Sequence, residues 1–191
     1  MCGRYQFSLI PGDPALARLR ALVAQRYPDY AIPDGEVLPS QRVPVLVAGE
    51  QKAAVGLMQW GYPSPGGSGL LINARRETAG EKPMFRDSLR LRRCAIPVTG
   101  YYEWARDTRQ KFFLSQSGKR LQYLAGLYDL FEGTARFVIL TAEANPSVSD
   151  LHHRMPVILR QAQVLTWLND PVQARLILAQ DLPDLEREPV S

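Results

Sequence analysis

Between residues 93 and 159 the chain repeats one pattern: a short run rich in branched and aromatic side chains, a turn, and another such run. Residues 93–98, 101–106, 111–116, 121–130, 136–142 and 155–159 read as strands, because these side chains suit a pleated, half-buried surface. Thr99-Gly100 breaks the first pair, and a Ser117-Gly118 turn joins 111–116 to 121–130. Strands dominate the middle and helices the ends, with no repeat, coiled coil or low-complexity tract. The pattern predicts one α+β domain over residues 1–191, with a mostly antiparallel, β-barrel-like core flanked by helices.

The flanking segments fill in around that core. Asp13-Pro14 reads as an N-cap followed by proline at the first helical position, and Leu16, Leu19, Val23 and Tyr27 share one face, so residues 14–26 form a helix that Pro28 ends. Residues 33–44 read as a proline-punctuated loop, 43–47 as a short apolar run and 51–62 as a strand. Residues 63–69 are a Pro/Gly/Ser loop, and Leu70-Leu71-Ile72 reads as a short buried run. From Asn73 to about Arg90 the chain looks polar and helical, and residues 161–191 form a C-terminal helical segment.

Several function classes drop out on composition. No run of about 18 apolar residues is present, so no membrane span is expected. The N-terminus has no basic segment followed by an apolar run, and two unframed cysteines, Cys2 and Cys94, fit a reduced cytoplasmic protein. Two histidines, adjacent at 152–153, leave little for a metal, and neither metal nor cofactor is expected. Residues 71–93 hold seven basic and three acidic side chains, whereas 161–191 hold two basic and five acidic. A basic middle beside an acidic tail points to an anionic ligand, DNA or RNA before others, or else to a solvated basic face.

Four positions combine polar chemistry with apolar neighbours. Cys2 follows the initiator Met1. Once Met1 is removed, Cys2 carries a thiol (about 8.5 in pKa) and a primary amine (roughly 7.7–8.0) on adjacent carbons. The amine can condense with an aldehyde to an imine, and the thiol can then close a five-membered thiazolidine. Asn73 can cap a helix or donate a hydrogen bond to a developing oxyanion. Glu103, set in Tyr101-Tyr102-Glu103-Trp104, either faces outward or loses hydration among aromatic rings and becomes a general acid. His152-His153 either decorates a turn or supplies an imidazole that shuttles protons near neutrality. A thiol, an amide, a carboxyl and an imidazole together suffice for carbonyl chemistry.

Met1-Cys2-Gly3-Arg4-Tyr5, Trp60-Gly61-Tyr62, Asn73-Ala74-Arg75-Arg76-Glu77-Thr78, Arg93-Cys94-Ala95-Ile96-Pro97, Gly100-Tyr101-Tyr102-Glu103-Trp104 and His152-His153-Arg154-Met155-Pro156 follow one another in that order. This succession, from residue 2 to about 168, resembles the SOS response-associated peptidase (SRAP) family of abasic-site processing proteins. The resemblance implies a monomer that binds single-stranded DNA at abasic sites and links its N-terminal cysteine to the sugar aldehyde as a reversible thiazolidine. It implies self-removal or aminopeptidase removal of Met1, and a weak lyase side activity. Cys2 would supply both nucleophiles and Asn73 would hold the amine and a sugar oxygen. Glu103 would act as the acid/base group, and His152 rather than His153 would assist ring opening and reversal. Arg4, Arg75, Arg86 and Arg154 would meet phosphates.

Three departures from the family pattern stand out. The loop after Tyr62 carries Pro65-Gly66-Gly67-Ser68 where relatives often have tryptophans; Glu36 stands where asparagine is common; and the chain ends at Ser191, where a closing strand is expected to be missing. Two other functions fit the residues: a cysteine peptidase acting in trans through Cys2 and His152, and a non-covalent single-stranded nucleic-acid binding module.

Overall fold

The computed structural model describes residues 2–8, 10–50, 52–118 and 120–190; Met1, on which the expected N-terminal removal falls, lies outside the described residues. In chain order the elements begin with β1 (Tyr5–Phe7), α1 (Pro14–Arg26), β2 (Gly35–Val37), β3 (Arg42–Val47), β4 (Ala54–Trp60), β5 (Tyr62–Pro63), β6 (Leu70–Leu71) and β7 (Asn73–Arg75). They continue with α2 (Pro83–Leu91), β8 (Arg93–Val98), β9 (Gly100–Trp104), β10 (Lys111–Ser115), β11 (Gln122–Phe131), β12 (Thr134–Glu143), β13 (Arg154–Pro156) and β14 (Ile158–Leu159). After a 3-10 turn come α3 (Val164–Asn169), α4 (Pro171–Leu178) and β15 (Glu186–Val190).

The strands β12, β4, β3, β8 and β11 pair in that order, and β11 pairs back to β12, closing a five-stranded barrel. All of its pairings are antiparallel except β4 with β12, which run parallel at Gln59↔Arg136 and Trp60↔Phe137. A second sheet runs β15-β10-β9-β1-β2. Closure leaves the barrel strands without free edges and buries long apolar stretches on both faces. The largest fully buried rings meet where the sheets touch: Tyr5 lies 5.1 Å from Trp60, which stacks on Phe137 at 6.2 Å and 7°.

The predicted α1 holds to its ends. Asp13 Oδ1 accepts the Ala15 and Leu16 amides at 2.9 and 3.0 Å, and its Oδ2 accepts the Leu121 amide at 3.1 Å. One carboxylate thus caps the helix and fixes the entry to β11. Leu16, Leu19 and Val23 are buried against the barrel.

Other expectations are corrected. Asn73 opens a strand, not a helix: β7 runs parallel to β12 with Ile139↔Asn73 in register, and helix begins only at Pro83, in the first-turn position that needs no N–H. Leu70 is 38% exposed, because β5 and β6 pair only with each other and no layer covers their outer face. The segment read as a loop before Pro44 contains β2 and the start of β3. The Ser117-Gly118 turn does not join a hairpin but passes from one sheet to the other. Residues 155–159 split at Val157, whose N–H reaches Leu140 while its C=O serves Ala125, so the chain shifts from β12 to β11. The C-terminal helical segment stops at Leu178, and β15 supplies the closing strand expected to be missing, pairing with β10 from Lys111↔Val190 to Ser115↔Glu186. Its Glu-Arg-Glu-Pro-Val sequence is mostly exposed, so no apolar alternation marks it; Pro189 is tolerated because β15 is an edge.

Candidate active site

Cys2 precedes β1 and is fully buried. Its carbonyl oxygen accepts a hydrogen bond from Asn73 Nδ2 at 3.0 Å. Asn73 stands at the first position of β7, where parallel pairing with β12 points its amide at the chain terminus. The other end of that amide, Oδ1, is buried and has no hydrogen-bond partner among the described residues. A buried acceptor without a donor is costly, and such atoms in native proteins usually await a ligand or water.

Glu103 reaches the same place by strand alternation. Tyr101 and Glu103 face inward from β9, whereas Tyr102 and Trp104 face outward. The pairing Tyr5↔Tyr101, continued by the Tyr102 amide on the Arg4 carbonyl at 2.9 Å, brings Gly3 opposite Glu103. Glu103 is 5% exposed, and burial pushes its carboxyl above the ordinary carboxylate range. The Cys2 thiol is pushed up by burial and then by the Glu103 carboxylate, so it is a protonated thiol near neutral pH. In this pocket the sulfur is not a ready thiolate; it must hand its proton to a neighbour as it attacks.

His152 stands just before β13. Its Nδ1 lies 2.9 Å from the Arg154 backbone nitrogen and 3.2 Å from the Arg154 carbonyl oxygen; because the backbone N–H can only donate and is the shorter contact, we assign the neutral tautomer with the proton on Nε2. Burial first, then the positive charge of the N-terminus, with His153 and Arg106 adding less, lowers its pKa to about 4, so the ring is neutral at pH 7. His153 stacks on it at 4.4 Å between centroids, and Arg106 Nη2 approaches His153 Nδ1 at 3.2 Å. Because Arg106 follows β9 by two residues, the end of β9 and the histidine pair meet at one rim. The start of β1, the start of β7, the end of β9 and the approach to β13 thus converge.

The arginines divide. Arg154 is committed internally: it forms two bonds to Glu77, at 3.1 and 2.7 Å, and one to the Thr141 carbonyl at 2.7 Å. It braces the His152 turn against the chain after β7. Arg75 is exposed with no ion pair among the described residues. Arg4 pairs with Glu36 at 2.8 Å. Arg86 is exposed on α2, 3.6 Å from Asp87, and lines a cleft of about 950 Å³ with Arg76, Glu77 and residues of α4. Two members of the basic stretch are structural. Arg93 is buried and donates to four carbonyls, those of Leu89, Arg90, Trp167 and Leu168, and Arg92 pairs with Asp129 at 2.9 Å. Sequence reading overlooked Glu77 and Lys111. The opposite charges of Glu77 and Arg154 were visible, but their pairing depends on β7 and β13 both lying beside β12.

Among the described residues no group of three or more His, Cys, Asp or Glu side chains is placed to hold a metal, and no helix is long and apolar enough to cross a membrane.

The family model described as "SOS response associated peptidase (SRAP)" matches residues 1–191. The chain is 31% identical to the abasic site processing protein YoqW of Bacillus subtilis, covering 100% of this chain and 92% of that protein. It is 28% identical to the abasic site processing protein YedK of Escherichia coli over 92% of this chain and 82% of that one, and 24% identical to the abasic site processing protein HMCES of Xenopus tropicalis over 100% and 73%. A solved structure of a Bordetella bronchiseptica protein shares the fold at a TM-score of 0.78 and 20% identity over the full length of both chains.

Proposed function

Because the chain belongs to the SOS response associated peptidase (SRAP) family, we propose that it is an abasic-site sensor that captures single-stranded DNA through Cys2. The observation that carries this reading is the Asn73 amide: Nδ2 holds the Cys2 carbonyl, while a buried Oδ1 beside it lacks a donor among the described residues. A freed Cys2 amine or a sugar hydroxyl would satisfy that oxygen. With Met1 attached the Cys2 nitrogen is an amide and cannot condense, so Met1 must first leave.

The reaction then balances as follows. The Cys2 amine adds to C1 of the open sugar, and water leaves as the imine forms. The sulfur adds to the carbon of the N-protonated imine, and the ring nitrogen keeps a proton of the original amine. Glu103, held toward its neutral form, donates a proton to the departing oxygen and takes one from sulfur in the next step. Neutral His152, with its proton on Nε2, assists opening of the sugar ring and its return on reversal. Holding amine and thiol against one aldehyde replaces separate encounters with a local step, an advantage with an upper range near ~7–11 kcal/mol. An abasic nucleotide lacks stacking and pairing, so extruding it costs less than extruding a normal base. The imine also makes strand cleavage accessible, as a minor lyase path.

Intact mass spectrometry of the protein with and without an abasic single strand tests the reading. The expected species is protein lacking Met1, plus one DNA strand, less one water. Cys2→Ala should give no stable adduct. A stable adduct from Cys2→Ala, or peptide turnover in trans indifferent to abasic DNA, would overturn it.

A further inference from the structure

On the outer face of the β15-β10-β9-β1-β2 sheet, opposite to Glu103, three charged side chains gather over two rings. Glu36, on the edge strand β2, gives one carboxylate oxygen to Arg4 Nη1 at 2.8 Å and the other to Lys111 Nζ. Lys111 Nζ lies 4.0 Å from the centre of the Tyr102 ring and 5.8 Å from that of Trp104, and the Arg4 guanidinium lies 5.5 Å from the same Trp104 ring. The rings fix both cations by cation–π attraction and by covering their stems. Tyr102 is itself fixed by donating its hydroxyl to Gln6 Oε1 at 2.9 Å. All three charged groups remain partly exposed.

We propose that Arg4 and Lys111 form a phosphate-docking subsite beside the reacting terminus, and that Glu36 is its resident counter-ion, displaced when DNA binds. This rests on the DNA reading above. A carboxylate that spreads two oxygens to two cations presents the same acceptor pattern as the two free oxygens of a phosphodiester. The cations sit on fixed strands and rings, whereas Glu36 comes from a three-residue strand at the sheet edge and is the part free to swing away. Arg4 is two residues from Cys2, a reach of at most about 7 Å along the chain. A strand whose sugar enters at Cys2 therefore passes this face. Glu36 makes each docking phosphate compete with a carboxylate, which lowers affinity for undamaged DNA and leaves the covalent step to decide retention.

The test is equilibrium binding of the full chain to a labelled, undamaged single strand across a salt series, where no adduct can form. Each phosphate neutralised on single strands contributes a slope of about 0.7 in log K against log salt. Glu36→Gln removes the competing carboxylate but adds no phosphate contact, so binding should be roughly tenfold tighter at 0.1 M salt with the slope close to wild type. Lys111→Gln, which leaves Glu36 paired with Arg4, should weaken binding and lower the slope by about 0.7. Thermal melting of each variant confirms the fold, and the Lys111 arm stands alone should Glu36→Gln fail to fold. Wild-type affinity in folded Glu36→Gln, or a wild-type slope in folded Lys111→Gln, overturns the subsite while leaving the DNA reading intact. A wild-type protein that neither binds the strand nor forms an adduct on abasic DNA overturns both.

Discussion

Replacing Asn73 separates holding the fold from holding the terminus. Asn73→Ala deletes one side-chain-to-backbone hydrogen bond, the 3.0 Å contact to the Cys2 carbonyl, which is worth about 0.5–1.5 kcal/mol net. Part of that loss is offset because the variant also removes the buried Oδ1, which has no donor among the described residues. For a chain of this length each kcal/mol shifts the melting temperature by about 2–4 °C, so a shift of only a few degrees is expected. The chemical cost is larger. Without the amide, Cys2 loses the side-chain hydrogen bond that holds its carbonyl, and a misplacement of about 1 Å costs on the order of 100-fold in rate. That corresponds to ~2.7 kcal/mol of barrier, more than the stability loss. Asn73→Asp should be at least as slow, because it sets a carboxylate oxygen against the carbonyl oxygen it replaces a donor to. The assay is the time course of adduct formation on an abasic single strand at saturating DNA, with melting curves run in parallel. Wild-type rates from a folded Asn73→Ala protein, or rate loss in step with unfolding alone, would refute the role of this amide.

Two further outcomes follow from the same geometry. His152 titrates near 6.5 when unfolded and at about 4 when folded, so between those values the unfolded chain binds the extra proton. Its contribution to stability is therefore intact above pH 6.5 and lost as pH falls toward 4; melting temperature should fall less steeply over this window in His152→Gln than in wild type, and equal slopes would count against a neutral, half-buried imidazole. In the barrel, a Cβ on Gly126 would stand 2.4 Å from Ile96 Cδ1, 2.9 Å from Cys94 Sγ and 2.9 Å from the Val138 carbonyl oxygen. The isoleucine tip can rotate but the β12 backbone cannot, so Gly126→Ala should cost about 1–3 kcal/mol in urea unfolding; an unchanged midpoint would mean the barrel yields at β12.

Local chemistry was legible in the sequence wherever one segment contained its own reason. Asp13-Pro14 with apolar residues on one face dictates α1, and the alternation through Tyr101-Tyr102-Glu103-Trp104 dictates that Glu103 and Trp104 face opposite ways. The thiol and amine of a second-position cysteine are likewise a property of the chain alone. What required the tertiary structure was every feature set by a partner distant in sequence. Asn73 starts a strand only because β12, some 66 residues later, offers a parallel edge at Ile139. The β15 strand exists because β10 leaves one edge open, and its exposed, charged residues carry no periodic signal of their own. Burial then decided the electrostatics: the same arginine type is a core strut at Arg93, a brace at Arg154 and a paired surface cation at Arg4. Hydrogen-bond partners, dielectric surroundings and strand neighbours belong to the folded chain, and those determine whether a charged side chain supports the scaffold or stays free to meet a phosphate.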